Sequence, residues 1–215
     1  MVDGLQALRW NVGSCRRCDR LVAHQKDVKR QNPQYWCAPV PSWGATRPRL
    51  LIVGLAPGLQ GAGRTGKGFV GDASGAFLFG SLFRFGFATN SVSELAKLRG
   101  AAITNIVKCL PPDNRPSSLE KRQCEEFLAQ EIEAFWPRHS VKNRVILCLG
   151  KEAFDSVARL CDAANRVFVH GTRTSPQRNF HIFASYHPSR LNVNTKRLTR
   201  KMFDDIFVEI KSLLD

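Results

Sequence analysis

Cys15 and Cys18 form a C-x2-C turn, a spacing that presents two sulfurs to one ion or cluster. Cys109 and Cys124, with 14 residues between them in a second segment, are a weaker signal by themselves and could complete a set of four. Four thiolates in one chain suit zinc or an iron–sulfur cluster. Cys37, beside Trp36, could replace one of them, and a C-x2-C with a redox role or none is the plainer alternative. Cys148, inside the apolar run Val145 to Leu149, and Cys161, at the end of a helical pattern, read as small core residues. A second group with chemical potential is His187. It follows the apolar run Ile182 to Tyr186, and Pro188 fixes the turn behind it. Arg190, Lys196, Arg197, Arg200 and Lys201 come next, a cluster suited to phosphates or simply a solvated helix face. The other histidines are placed less tellingly: His24 and His139 in basic stretches, His170 and His181 beside strands.

The glycine-rich stretch Gly54 to Gly71 admits three readings. Gly61 to Gly66 fits G-x-G-x-x-G and Gly61 to Lys67 fits G-x-x-x-x-G-K, yet neither leaves a strand directly. Gly68 stands where a magnesium-binding Ser or Thr would be, which argues against a P-loop. A flexible surface loop is the second reading. The third is a backbone cradle for a sugar-phosphate chain, with Arg64 and Lys67 supplying charge.

These groups need elements to hold them. Residues 1–48 read as a short first helix followed by irregular, proline-interrupted chain around the C-x2-C. Arg49 to Gly54, Ala101 to Val107, Asn143 to Gly150 and Phe180 to Tyr186 are apolar runs of the kind buried on both sheet faces. Asp72 is placed to cap a helix running to Phe85, and Ser117 with Glu120 makes a capping box for a helix to Phe135. Helices are also expected from Lys151 to Cys161 and from Thr195 to Leu214. Strands alternating with helices predict a single α/β domain over residues 1–215. It is a three-layer α/β/α sandwich around a four-stranded, mostly parallel sheet. Ligands of such sheets bind beyond the strands' carboxyl ends, here the loops Leu55–Gly71, Cys109–Pro116 and His187–Asn194.

The composition narrows the partner. Lys and Arg number 32 against 18 Asp and Glu, so 32 − 18 gives +14 over 215 residues. That surplus favours a polyanion. At 43% hydrophobic and 23% charged residues the chain is no disordered polymer. No stretch approaches the ~20 apolar residues of a membrane span. Met1 to Gln25 has no apolar signal core, so an intracellular protein with reduced cysteines is expected.

Four of these segments together resemble the uracil-DNA glycosylase superfamily, and most closely its iron–sulfur type-5 (class B) enzymes. Gly54-Leu-Ala-Pro-Gly58 is similar to the family's first motif, continued by Arg64-Thr-Gly66 and Gly68-Phe-Val-Gly-Asp72. Lys108-Cys109-Leu-Pro-Pro-Asp-Asn-Arg-Pro116 resembles the segment carrying the third cluster cysteine, and Tyr186 to Thr195 the second catalytic motif. Leu55 stands where type-4 enzymes carry Glu, which points to type 5 and removes a usual water-positioning group.

The resemblance implies a monomeric DNA repair hydrolase that flips uracil out of DNA and hydrolyses its glycosidic bond. Hypoxanthine or xanthine are further expected substrates, and a non-catalytic iron–sulfur damage sensor is the alternative. It implies Asp72, His187 and Asn114 as catalytic groups; Leu55, Ala56, Phe69, Asn114 and His187 around the base; and Arg64, Lys67, Ser189, Arg190 and Leu191 on the DNA. It also implies Cys15, Cys18, Cys109 and Cys124 as ligands of a [4Fe–4S] cluster, leaving Cys37 outside the set. A nucleoid-associated, cytoplasmic location is the corresponding expectation.

Overall fold

The computed structural model describes residues 2–137, 143–175 and 180–215. His139 lies outside them. Helix α1 (Val2–Gly13) and α2 (Asp19–Gln31) precede strand β1 (Trp43–Gly44) and strand β2 (Leu50–Gly54). Then come α3 (Ala62–Thr65), α4 (Ala73–Arg84), β3 (Ala101–Asn105), a 3-10 turn (Pro112–Asn114) and α5 (Ser118–Phe135). The chain ends with β4 (Val145–Leu149), α6 (Lys151–Leu160), β5 (Arg173–Thr174), β6 (His181–Ser185), α7 (Arg190–Asn194) and α8 (Arg200–Leu214).

The sheet has the order β1-β3-β2-β4-β6-β5. The four predicted strands form its parallel centre, β3-β2-β4-β6. The expected count of four is corrected to six by two-residue strands that pair antiparallel at either edge. Two residues carry no readable alternation, so edge strands this short leave no mark in the sequence.

Alternation within the buried strands builds two cores. Leu51, Val53, Ala102, Ile146, Cys148, Ile182 and Ala184 pack under α1, α5 and α6 with Leu8, Phe127, Leu128, Ile132, Phe154 and Val157. Leu50, Ile52, Ile103, Val145, Leu147 and Phe183 face the other side, against Phe77, Leu78 and Leu82 of α4 and Phe203, Phe207 and Ile210 of α8. Burying each such side chain contributes about 1.5–3 kcal/mol. This is the three-layer sandwich that continuous apolar strands require.

Two helix readings are corrected. Residues 19–31 are helical where irregular chain is expected, because only Leu21, Gln25 and Val28 are buried amid charged neighbours and the stripe is faint. The C-terminal helix begins at Arg200 rather than Thr195, because Lys196 takes φ +58° and Thr199 caps α8 by accepting from the Met202 N–H, while the short α7 forms inside the segment expected as loop. Elsewhere the caps are as read. Asp72 accepts from the Gly75 N–H, and Ser117 and Glu120 form a complete capping box.

Candidate active site

Parallel register sets the strand ends level. Gly54 sits beside Asn105, and Leu149 beside Ser185. Beyond this edge opens a cleft of about 860 Å³. Leu55, Ala56, Phe69, Asp72, Asn114, His187, Ser189 and Arg190 all line it, so eight of the expected site residues converge there.

The base-sized floor is shaped by a glycine. A Cβ on Gly54 would lie 2.5 Å from Asn105 Oδ1 and 2.8 Å from the Phe69 ring, so only a bare Cα lets amide and ring approach. Phe69 is buried and holds φ +59°, a left-handed conformation that costs energy for a non-glycine residue and that the surrounding loop enforces. Its ring lies 5.9 Å from the His187 ring, tilted by 36°. Asn105 is 3% exposed, and its Oδ1 has no hydrogen-bond partner among the described residues. A buried polar atom left open in a cleft is a group kept for a ligand. Sequence reading misses Asn105 because it takes Ala101 to Val107 as strand interior. The polar pair Thr104-Asn105 ending an apolar run was the available clue.

Asp72 serves two purposes with two oxygens. Oδ1 accepts from the Gly75 N–H at 2.7 Å and caps α4. Oδ2 faces the loop: a Cβ on Gly61 would lie 2.1 Å from it, and one on Gly58 3.7 Å from it. The same Gly58 point is 3.8 Å from Asn114 Oδ1, so these two oxygens flank one glycine. Asn114 is exposed and, like Asp113, adopts a left-handed backbone (φ +55° and +53°) between the prolines of its loop.

His187 is held through its backbone. Its carbonyl accepts from Asn192 Nδ2 at 2.8 Å, and its Cβ packs against Gly150. Burial pushes its pKa down, and Asp72 opposes this only in part. A neutral imidazole results at neutral pH, able to donate one hydrogen bond without carrying charge.

The outer residues divide. Leu191, on α7 beside the cleft, is 72% exposed, and Arg190, Lys67, Lys196 and Arg197 are also exposed. Ser189 caps α7 by accepting from the Asn192 N–H. Arg64 Nε and Nη2 donate to the Gln60 and Gly71 carbonyls at 2.9 and 3.0 Å, so it braces the loop. Arg200 likewise donates to the Phe77 carbonyl at 2.8 Å and lies over the Phe77 ring. The far rim, Ser91 to Glu94, is a wall that the sequence did not announce. Ser93 there accepts from the Gly71 N–H, next to Asp72.

A second, apolar pocket gathers all four ligand candidates, Cys15, Cys18, Cys109 and Cys124, with Leu21, Val107 and Phe127. Cys15 lies after α1, Cys18 is the N-cap of α2, Cys109 follows β3, and Cys124 is on α5. Cys124 Sγ accepts from the Lys108 N–H at 3.3 Å, a bond that favours thiolate, while burial pushes this thiol up to about 11 and Cys109 higher still. Among the described residues no group is drawn tight enough to hold a metal ion as it stands. The donor set, four sulfurs bordering one pocket from the C-x2-C turn, the chain after β3 and α5, fits a tetrahedral thiolate-bound group. Cys37 borders a separate small pocket beside Cys15.

Comparison with known proteins places the chain. The sequence model of the uracil DNA glycosylase superfamily matches residues 41–211. The chain belongs to this superfamily. The type-5 uracil-DNA glycosylase of Pyrobaculum aerophilum is 40% identical over 194 residues, covering 86% of this chain and 83% of its own. That of Mycobacterium bovis is 40% identical over 215 residues, covering 94% and 79%. That of Thermus thermophilus is 38% identical, covering 97% of both chains. The superfamily match takes in the whole cleft, whereas α1, α2 and the C-x2-C precede it.

Proposed function

We propose that this chain hydrolyses the N-glycosidic bond of uracil in DNA, leaving an abasic site. The observation that carries this reading is Asp72 Oδ2 and His187 on the walls of one cleft whose floor is Phe69 and Asn105. The family and the type-5 names of its relatives support it.

A base inside a duplex must leave the stack before its C1′–N1 bond can be reached. Phe69 offers a face for the flipped pyrimidine, and the Asn105 amide matches the donor and acceptor on its edge. As the bond breaks, the base takes the electron pair and the sugar becomes cationic. Neutral His187 donates a hydrogen bond to the charge growing on the base. The Asp72 carboxylate stabilises the cation and, with Asn114 across Gly58, orients the water that forms the new C1′–O bond; the proton this water loses passes to Asp72 and ends on the departed base anion, which leaves as neutral uracil. Leu191 fills the gap left in the duplex, a role for apolar wedges. Leu55 and Ala56 line the slot without polar atoms on their side chains, which supports a wider substrate range including hypoxanthine and xanthine.

The cofactor belongs to the same reading: Cys15, Cys18, Cys109 and Cys124 hold a [4Fe–4S] cluster that ties the N-terminal helices to the Cys109 loop. When bound it supplies structural cross-linking. We read the protein as a monomer acting on the nucleoid in the cytoplasm. No helix among the described residues is long and apolar enough to cross a membrane.

The test is incubation with duplexes carrying uracil, hypoxanthine, xanthine or thymine opposite each base, followed by alkaline cleavage. Cleavage at uracil is expected, and at the deaminated purines more slowly. DNA binding without abasic sites would overturn the reading in favour of a non-catalytic damage sensor. A brown protein with broad visible absorbance is expected from purification. Colourless protein with stoichiometric zinc would overturn the cluster.

A further inference from the structure

The backbone carrying His187 leaves β6 at a point where the sheet can no longer hold it. Up to Ala184 the strand is paired with the chain before β5: the Ala184 N–H donates to the Thr172 carbonyl, and the Gly171 N–H donates to the Ala184 carbonyl. Gly171 and Thr172 thus both stand opposite Ala184, a bulge that ends the ladder, and two residues on the Tyr186 N–H has no main-chain acceptor among the described residues. The His170 side chain accepts instead, with Nδ1 3.1 Å from the Tyr186 nitrogen. The other ring nitrogen, Nε2, lies 3.2 Å from the Met202 carbonyl in the first turn of α8.

These two contacts fix the tautomer. Nδ1 faces an N–H and must accept, so Nε2 carries the hydrogen and donates to Met202. The ring also stacks on Tyr186, with centroids 5.0 Å apart and planes 27° apart. The guanidinium of Arg197 covers the Tyr186 ring at 4.7 Å. His170 is therefore clamped between α8 and the residue preceding His187.

The peptide units around His187 have few other anchors. The Ser185 hydroxyl donates to the Tyr186 carbonyl at 2.9 Å, and Asn192 donates to the His187 carbonyl at 2.8 Å. The His187 imidazole itself makes no hydrogen bond with another described residue. Its aim is thus set by main-chain placement and by packing against Phe69, and the Tyr186 N–H is an anchor on its upstream side.

We infer that His170 is a positioning residue for the reaction: through the Tyr186 N–H it sets the main chain from which His187 reaches the leaving base. The inference rests on the proposed role of His187. It requires no contact between His170 and DNA, and His170 is not among the cleft-lining residues. Removing the acceptor lets the Tyr186 peptide turn, and a shift of about 1 Å at a catalytic group can cost about 10²-fold in rate. DNA affinity, set by phosphates and the cleft walls, stays.

The experiment compares His170→Leu, His170→Asn and His170→Gln in single-turnover excision of uracil from duplex DNA. It is paired with equilibrium binding of the same duplex and amide hydrogen exchange at Tyr186. Asn places an acceptor at the position of Nδ1, whereas Gln places its amide nearer Nε2. Expected are a 10- to 100-fold slower excision by His170→Leu with binding within about twofold. Loss of protection at the Tyr186 N–H should accompany it, and both should recover in His170→Asn but not in His170→Gln. Should His170→Leu fail to fold, the Asn and Gln variants decide by the same ordering. Wild-type rates in all three, or an Asn variant as slow as Gln, would overturn the inference. A wild-type protein that leaves uracil in place overturns the proposed function instead, which keeps the two failures apart.

Discussion

At the scale of single residues, Asp72 illustrates how one side chain carries a structural and a chemical duty without conflict. Oδ1 is committed to the Gly75 N–H and Oδ2 to the cleft. The duties separate on mutation. Asp72→Asn keeps a good N-cap, so its thermal stability should match wild type within a few tenths of a kcal/mol, yet excision should fall about 10²- to 10³-fold because the carboxylate charge is gone. Asp72→Ala should lose the same activity and also about 1 kcal/mol of stability. Equal stability in both, measured by denaturation, would remove the capping half of the argument. His187 gives a pH signature. Its pKa is depressed by burial, as are those of His170 and His181. The folded form therefore binds these protons less readily than the unfolded chain. Their contribution to stability is complete above the ordinary histidine value of about 6.5 and is lost as pH falls through the lower folded values. Melting temperature should accordingly drop on acidification below about pH 6.5, and excision should stay flat through neutrality where His187 is already neutral.

At the scale of elements, the loop between β2 and α4 depends on glycines where atoms of the site lie too close for a Cβ. Gly61→Ala would drive a methyl group into Asp72 Oδ2, 2.1 Å away, and should reduce excision about tenfold or more by displacing the carboxylate. Far from the cleft, Phe183 of β6 is fully buried against α4 and α8. Phe183→Ala should cost about 3–5 kcal/mol in denaturant titration. The legibility of elements follows the same physics. Strands buried on both faces are continuous apolar runs, so β2, β3, β4 and β6 were readable to within a residue or two, and Ser117 with Glu120 marked a helix start. The helix α2 and the break at Lys196 were not, because a helix with three buried residues and a turn stabilised by one left-handed residue leave almost no apolar period.

At the scale of the whole molecule, the +14 charge is unevenly useful. Arg64 and Arg200 spend their guanidinium groups on carbonyls, which leaves the exposed Lys67, Arg190, Lys196 and Arg197, of which Arg190 lines the cleft. If these four make phosphate contacts, DNA affinity should fall with a log–log salt slope of about −3.6, roughly 150-fold between 50 and 200 mM salt. Neutralising Arg190 should reduce that slope by about one, whereas Arg64→Gln should leave the slope unchanged and lower stability. The cluster proposal is also read at this scale, since its four sulfurs come from three segments: the C-x2-C turn, the chain after β3 and α5. Cys109→Ser should abolish the visible absorbance and loosen the N-terminal helices to proteolysis, with the sheet retained.

The sequence by itself determined the layers, the caps and the residue types able to do the chemistry. Apolar periodicity, capping boxes and short motifs are local, and local patterns survive in a linear text. Only the tertiary structure decided which groups meet. It showed that Asn105 keeps an unpartnered oxygen beside Phe69, that Asp72 and Asn114 flank one glycine, and that Arg64 braces a loop. It also showed that the His170 ring accepts from the main chain next to His187, past the end of the ladder. Those facts depend on parallel strands bringing distant segments level at one edge of the sheet, and no spacing along the chain encodes such a distance.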